Sequence, residues 1–169
     1  TGGNCTANAQ KSTAFAEEVG ADAVLVVTPY YNKCTQNGLV EYYGGWYHVV
    51  GGYLDWNVTT LTYYNNAWFY VENGAINWNY TGLVEYCGTL YYVVNGCLDW
   101  NATTLTYYND VWYYVENGLV TFAANTLVEY EGRLFYVKNS QIDWSYTTIA
   151  SYFESDYYVV NGEVATWFT

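Results

Sequence analysis

Along most of this chain, apolar and polar positions alternate in short runs, the signature of half-buried β-strands. The stretch "GLVEYCGTLYYVVNGCLDW" at 82–100 shows the unit: a short strand, a two-residue turn at Cys87-Gly88, a second strand, an Asn95-Gly96 turn and another short strand. Asn-Gly is a strong hairpin signal because both residues tolerate positive φ. Elsewhere the first turn becomes Asn65-Asn66, Asn109-Asp110 or Glu131-Gly132, whose chemistry is compatible.

The unit recurs. Placed on itself at a 22-residue shift, the chain aligns Trp46, Trp68, Leu90, Trp112, Leu134 and Asp156, and also Gly52, Gly74, Gly96, Gly118, Ser140 and Gly162. Tyr42, Tyr64, Tyr86, Tyr108, Tyr130 and Tyr152 keep the same spacing, as do Leu39, Leu61, Leu83, Leu105, Leu127 and Ile149. This predicts six repeats, the last cut short at Thr169. A 44-residue period overlies the first: "TTLTYYNNAWFYVENG" at 59–74 nearly equals "TTLTYYNDVWYYVENG" at 103–118, as duplication of a repeat pair would leave it.

Alternation within the middle strand assigns faces. Tyr91 and Val93 point one way, and their equivalents are always Tyr or Phe followed by Val, so this is expected to be the packed face. Leu90, Tyr92 and Val94 point the other way with variable equivalents, an outer or inter-repeat face. One hairpin cannot bury its apolar side alone, so the repeats are expected to stack into an elongated β-hairpin solenoid or superhelix.

The first 38 residues obey other rules. Residues 6–19 have helix-forming composition, with Asn4 or Thr6 as cap and Gly20 placed for an αL stop. "ADAVLVVTP" at 21–29 is an uninterrupted apolar run of the kind found in a parallel sheet covered on both faces. The expected fold is therefore mainly β, with a helix-strand α/β fragment at 1–38 and aromatic-rich hairpin repeats over 39–169.

Composition sharpens this picture. The chain holds 23 Tyr, 8 Trp and 6 Phe against one Pro, which suits pleated surfaces. Sixteen acidic and four basic residues give a net charge of −12, which opposes binding to nucleic acid or to an anionic membrane. No apolar run approaches the roughly 18 residues of a membrane span, and no membrane insertion is expected. Beginning on Thr1 and lacking Met, the sequence reads as a processed or excised piece. Cys5, Cys34, Cys87 and Cys97 show no C-x-x-C spacing and His48 is the sole histidine, so no metal site and no cofactor are expected. Cys87 and Cys97 fall near opposite ends of one strand and are not expected to bridge within their own hairpin.

The stretch "GADAVLVVTPYYNK" resembles the dihydrodipicolinate synthase and N-acetylneuraminate lyase family of (β/α)8-barrel aldolases, over about one of eight barrel units. The resemblance places a proton-relay tyrosine of that family at Tyr31, here vestigial. No Thr-Thr-Gly-Glu stretch is present, Lys33 matches a loop lysine, and the strand that would carry the Schiff-base lysine is replaced by repeats. Retained lyase activity is not expected. The repeats, "WYYVENG" and "YTGLVEY", resemble choline-binding and other cell-wall-binding modules of Gram-positive surface proteins. They depart from these in a period of 22 and in a hairpin opening on Gly-Leu or Thr-Leu rather than Gly-Trp.

In such relatives a quaternary ammonium sits in an aromatic cage between hairpins, held by cation-π attraction. The resemblance points to Trp46, Trp68 and Trp112, with Trp56, Trp78, Trp100 and Trp144 after the second turn, and to Tyr70, Tyr92 and Tyr114. Sugar rings would suit the same surfaces. Glu41, Glu85, Glu129, Asp55, Asp99 and Asp143 recur at 44, and such repetition argues for a solvated face over a glycosidase pair or a calcium site. Asn57, Asn79 and Asn101 open Asn-x-Thr patterns that a repeated turn produces by itself.

The expected function is non-catalytic attachment, outside the cell or at its surface, to a cell-wall polymer, a host glycan or a choline-type ligand. The N-terminal fragment is expected to cap the first repeat. The alternative is a structural or self-associating gene-fusion product, dimerising through exposed strand edges or the N-terminal fragment.

Overall fold

The computed structural model describes residues 14–20 and 37–165. The helix expected at 6–19 is present where described, at 14–18, and ends at Gly20, whose φ of 83° and bond to the Glu17 carbonyl make the expected αL stop. The strand expected at 21–29, together with Tyr31, Cys5 and Cys34, lies outside the described residues.

From Asn37 onward the structure is β. Each hairpin unit but the fourth gives two strands and a short third one. The first has β1 (Asn37–Tyr42), β2 (Gly45–Val50) and β3 (Tyr53–Leu54); the second has β4 (Thr60–Tyr64), β5 (Ala67–Glu72) and β6 (Ala75–Ile76). The third has β7 (Gly82–Tyr86), β8 (Thr89–Val94) and β9 (Cys97–Leu98), and the fourth has β10 (Thr104–Tyr108) and β11 (Val111–Val115). The fifth has β12 (Thr126–Tyr130), β13 (Arg133–Lys138) and β14 (Gln141–Ile142), and the sixth has β15 (Ile149–Tyr152), β16 (Ser155–Val160) and β17 (Glu163–Val164).

Hairpins join by a fixed rule: the middle strand of one pairs with the third strand of the next, as in β2 with β6, β5 with β9, β11 with β14 and β13 with β17. The fourth unit is the exception. Its third strand shrinks to isolated bridges at Leu119, so the array divides into a nine-stranded and an eight-stranded sheet joined through Tyr91 and Leu119.

Leu39, Leu61, Leu83, Leu105 and Leu127 form one buried column, each at most 3 % exposed; Val49, Val71, Val93, Val115, Val137 and Val159 form another. They meet across hairpins. Leu39 packs with Val71 and Ile76, Leu61 with Val93 and Leu98, Leu83 with Val115 and Val120, and Leu105 with Val137 and Ile142. The core therefore lies at the junctions, and a hairpin alone would leave both columns half in water. The valines lie on the packed face as expected, and of the two alternatives for the opposite face Leu90 and Tyr70, 7 % and 6 % exposed, take the inter-repeat one. Those side chains are buried by the neighbouring hairpin, which alternation along a single strand does not reveal.

Turn chemistry repeats with the core. Asn65-Asn66, Cys87-Gly88, Asn95-Gly96 and Asn109-Asp110 all have positive φ at both residues, as expected of type I′ turns. Asp55, Asn77, Asp99 and Asp143 each accept the backbone N–H two residues on. Thr59, Thr81 and Thr103 accept the backbone N–H of Asn73, Asn95 and Asn117 in the following turn. The Asn-x-Thr patterns thus mark a turn and the hydroxyl that fastens it to its neighbour. Glu41, Glu85 and Glu129 are exposed, as expected, whereas Asp55, Asp99 and Asp143 are turn acceptors.

Candidate ligand-binding site

Three recurring strand positions and the segment after each third strand bring four rings together at a junction. At the first, Trp46 on β2 stands 5.2 Å from Tyr64 on β4, and Phe69 on β5 stands 5.8 Å from Trp78. Leu39 and Ile76 form the floor and Asn65 the rim of a cavity of about 180 Å³. One ring comes from the first hairpin and three from the second, so neither hairpin holds the site by itself.

The same arrangement returns three hairpins later. Trp112 lies 5.5 Å from Tyr130, and Phe135 lies 6.2 Å from Trp144, over Leu105 and Ile142, around a cavity of about 290 Å³. An intermediate set has Trp68 at 5.3 Å from Tyr86 and Tyr91 at 6.0 Å from Trp100. The junction after that holds Leu90, Tyr108, Tyr113 and Phe122, with no tryptophan at either matched position. Full aromatic sets therefore stand at the first, second and fourth junctions among the described residues, and the two cavities are separated by three units although the sequence duplicates in pairs.

Side chains outside the sets hold the rings in place. Tyr63 and Tyr107 pair across the hairpin with Trp68 and Trp112, at 5.3 and 5.5 Å between ring centres. Their hydroxyls donate to Asn66 Oδ1 and Asp110 Oδ1 in the turns, which fixes the rings that orient each indole. Trp78, Trp100 and Trp144 are 45 to 51 % exposed, so each set keeps one indole half open to solvent.

Electrostatics differ between sets. No charged side chain lines the Trp46 cavity, whereas Glu131, Arg133 and Glu163 line the Trp112 cavity. Burial, then the Glu131 carboxylate and a hydrogen bond with it, push the Tyr130 phenol up from its ordinary value. At the Trp68 set the matched residue is Cys87, and burial first, then this thiol, push the Tyr86 phenol up. Burial also pushes the Cys97 thiol up, and Cys87 and Cys97 are both free thiols in this structure. No group of three or more His, Cys, Asp or Glu placed to hold a metal occurs among the described residues.

Of the residues singled out from sequence, Trp46 and Trp78 share one cavity, Trp112 and Trp144 share another, and Trp68 and Trp100 belong to the intermediate set. Trp56 lies 5.3 Å from Tyr47 at the first hairpin. Tyr70, Tyr92 and Tyr114 stand apart. Tyr70 lies 4.3 Å from Tyr80 and its hydroxyl donates to Glu72, while Tyr92 and Tyr114 pack against the Leu83 and Leu105 clusters. Tyr64, Tyr86 and Tyr130, with Phe69, Tyr91 and Phe135, were absent from the sequence-based set. Their signal was present in the 22-residue tyrosine column and in the invariant Tyr or Phe before each buried valine. His48 occupies the Tyr70 column, its Nδ1 buried without a hydrogen-bond partner.

Comparison with known proteins divides the chain in two. Residues 1–46 match the dihydrodipicolinate synthetase family model. Over 43 residues the chain is 63 % identical to the 4-hydroxy-tetrahydrodipicolinate synthase of Alkaliphilus oremlandii and 60 % identical to that of Methanocaldococcus jannaschii, covering 25 % of this chain and 15 % of each enzyme. The chain thus spans about one seventh of the length of these relatives. Among solved structures, it is similar to CbpJ from Streptococcus pneumoniae, at 22 % identity and a TM-score of 0.32, over 76 % of this chain and 42 % of that one. Choline binding protein F from the same organism gives 20 % identity and a TM-score of 0.31, over 76 % of this chain and 42 % of that one. The choline-binding repeat model matches residues 57–77, 79–99, 101–121, 123–143 and 145–164, well over half of the sequence. This chain belongs to the choline-binding repeat family.

Proposed function

We propose that the chain is a non-catalytic attachment module of six stacked units, an elongated hairpin solenoid, that holds a quaternary ammonium group of a cell-surface polymer in aromatic cages at its junctions. The observation that carries this reading is the Trp46, Tyr64, Phe69 and Trp78 set and its repetition as Trp112, Tyr130, Phe135 and Trp144, each around a cavity. Ring faces attract a cation by roughly 0.5 to 2 kcal/mol each, and the net charge of −12 favours a cationic group over an anionic one. Weak cages in series gain strength by avidity on a polymer that presents many copies of the ligand. The module would act at the cell surface.

Tryptophan fluorescence during choline titration tests this. Saturable quenching is expected, with separate components lost in Trp46→Ala and Trp112→Ala; an unchanged signal in the wild type at high choline would sink the reading.

A self-associating role is the second reading, favoured by Tyr43 and Phe153. These turn residues of the first and sixth hairpins are 92 % and 90 % exposed. Sedimentation velocity across a wide concentration range separates the two, since a self-associating chain gains mass without ligand.

A further inference from the structure

The Trp112 cavity departs from the Trp46 cavity at three matched positions. Glu131 replaces Asn65, Arg133 replaces Ala67, and Glu163, paired across the strands with Phe135, replaces Cys97, which pairs with Phe69. The Arg133 guanidinium lies 5.3 Å from the centre of the Phe135 ring, and its Nε and Nη2 both face Glu163 Oε1. A guanidinium has five N–H donors, so this contact leaves donors for a second anionic oxygen. With Arg133 in place the cavity is still about 290 Å³ against about 180 Å³ at Trp46, so the arginine lines the space without filling it.

We propose that the Trp112 cavity is selective for a zwitterion. The quaternary ammonium lies among Trp112, Tyr130 and Trp144 beside the Glu131 carboxylate, and an anionic group a few bonds away, such as a phosphate ester, pairs with Arg133. The Trp46 cavity, whose lining is uncharged, takes the ammonium alone. Arg133 is thus a specificity-determining residue in one cage of three. This rests on the aromatic-cage reading above. The side chains of Arg133 and Glu163 are 59 % and 27 % exposed, which makes their ion pair partner exchange rather than a buried lock, and an incoming phosphate can share the guanidinium.

The test is calorimetric titration of the full chain with choline and with phosphocholine, on wild type, Arg133→Gln, Arg133→Lys and Trp112→Ala; the component lost in Trp112→Ala reports this cavity. In the wild type that component should favour phosphocholine. Arg133→Gln should lower its phosphocholine affinity about tenfold and leave choline unchanged or tighter, because the Phe135 face is freed. Arg133→Lys should restore part of the loss. Equal change for both ligands, or tighter phosphocholine binding in Arg133→Gln, overturns the inference while leaving the cage reading standing. Absence of choline binding in every variant overturns both. Phosphatidylcholine vesicles that sediment wild type but not Arg133→Gln would trace the zwitterion to a lipid headgroup, and binding of the soluble ester alone would trace it to a free or polymer-borne one.

Discussion

Gly74 lies against the carbonyl of Asp55 in the preceding unit, so close that a Cβ on Gly74 would stand 2.4 Å from that oxygen. Gly96 and Gly118 meet Asn77 and Asp99 in the same way. Each glycine bonds both sides of the junction: the Gly74 N–H donates to Val58 and its carbonyl accepts from His48. Gly88, with a similar φ of 78°, has open space around it. Gly74→Ala should therefore cost about 2–4 kcal/mol from αL strain and overpacking together, and Gly88→Ala about 1 kcal/mol from strain alone. Urea denaturation of both variants checks the difference; equal costs would remove the close approach as the cause.

Leu83 and Ile149 hold matched places in one column, but Leu83 is 1 % exposed and Ile149 is 61 % exposed. Leu83→Ala is expected to lose about 2–5 kcal/mol by opening a cavity between the third and fourth hairpins. Ile149→Ala should stay within about 0.5 kcal/mol of wild type. Thermal melts of the two variants decide whether the junction clusters carry the stability.

The Tyr70 phenol is pushed up to about 12, by burial first and by the Glu72 carboxylate second. The unfolded chain loses this proton near the ordinary value of about 10, so its contribution to stability is complete below that pH and is lost as pH rises from there towards 12. Tyr70→Phe has no such proton and should show a shallower alkaline loss of stability. Denaturation midpoints followed upward from about pH 9 provide the comparison, and parallel curves would contradict it.

Leu90 and Phe122 stand where the complete sets have tryptophan. Leu90→Trp combined with Phe122→Trp should create a further cage beside Tyr108 and Tyr113 and raise the choline stoichiometry by one equivalent. An unchanged stoichiometry in a variant that still melts cooperatively would show that ring count is not what makes a site.

Much of this was legible in the residues. The hairpins, both turns and the leucine column follow from alternation, Asn-Gly chemistry and the 22-residue spacing, because each depends on local backbone geometry. The ring sets were only half legible. Both tryptophans of each set could be named, but Tyr64 and Phe69 looked like framework because they recur in nearly every unit, while Tyr70, on the same strand face as Trp68, looked like a partner. Membership depends on the rotation between units, which puts Trp46 of one hairpin opposite Phe69 of the next although the two columns point to opposite faces of their strands. The 44-residue period reflects duplication and does not locate the ring sets, which follow the positions where both tryptophans are present.

The fourth unit shows how one exception carries another. Ser140 stands where its equivalents are glycine, and it is fully buried, its Oγ accepting from the Ala124 N–H and lying 3.4 Å from Thr121 Oγ1. It faces Thr121 and Phe122, not the Asp-Trp or Asn-Trp pair that crowds the matched glycines.

Because every ring set is shared between neighbours, the sets belong to seams and not to units. One hairpin alone holds no complete ring set, and each unit added to the array makes one new seam without disturbing those already made. A change confined to one seam, as at Leu90 and Phe122 or at Arg133, leaves the ring sets of the other seams as they are.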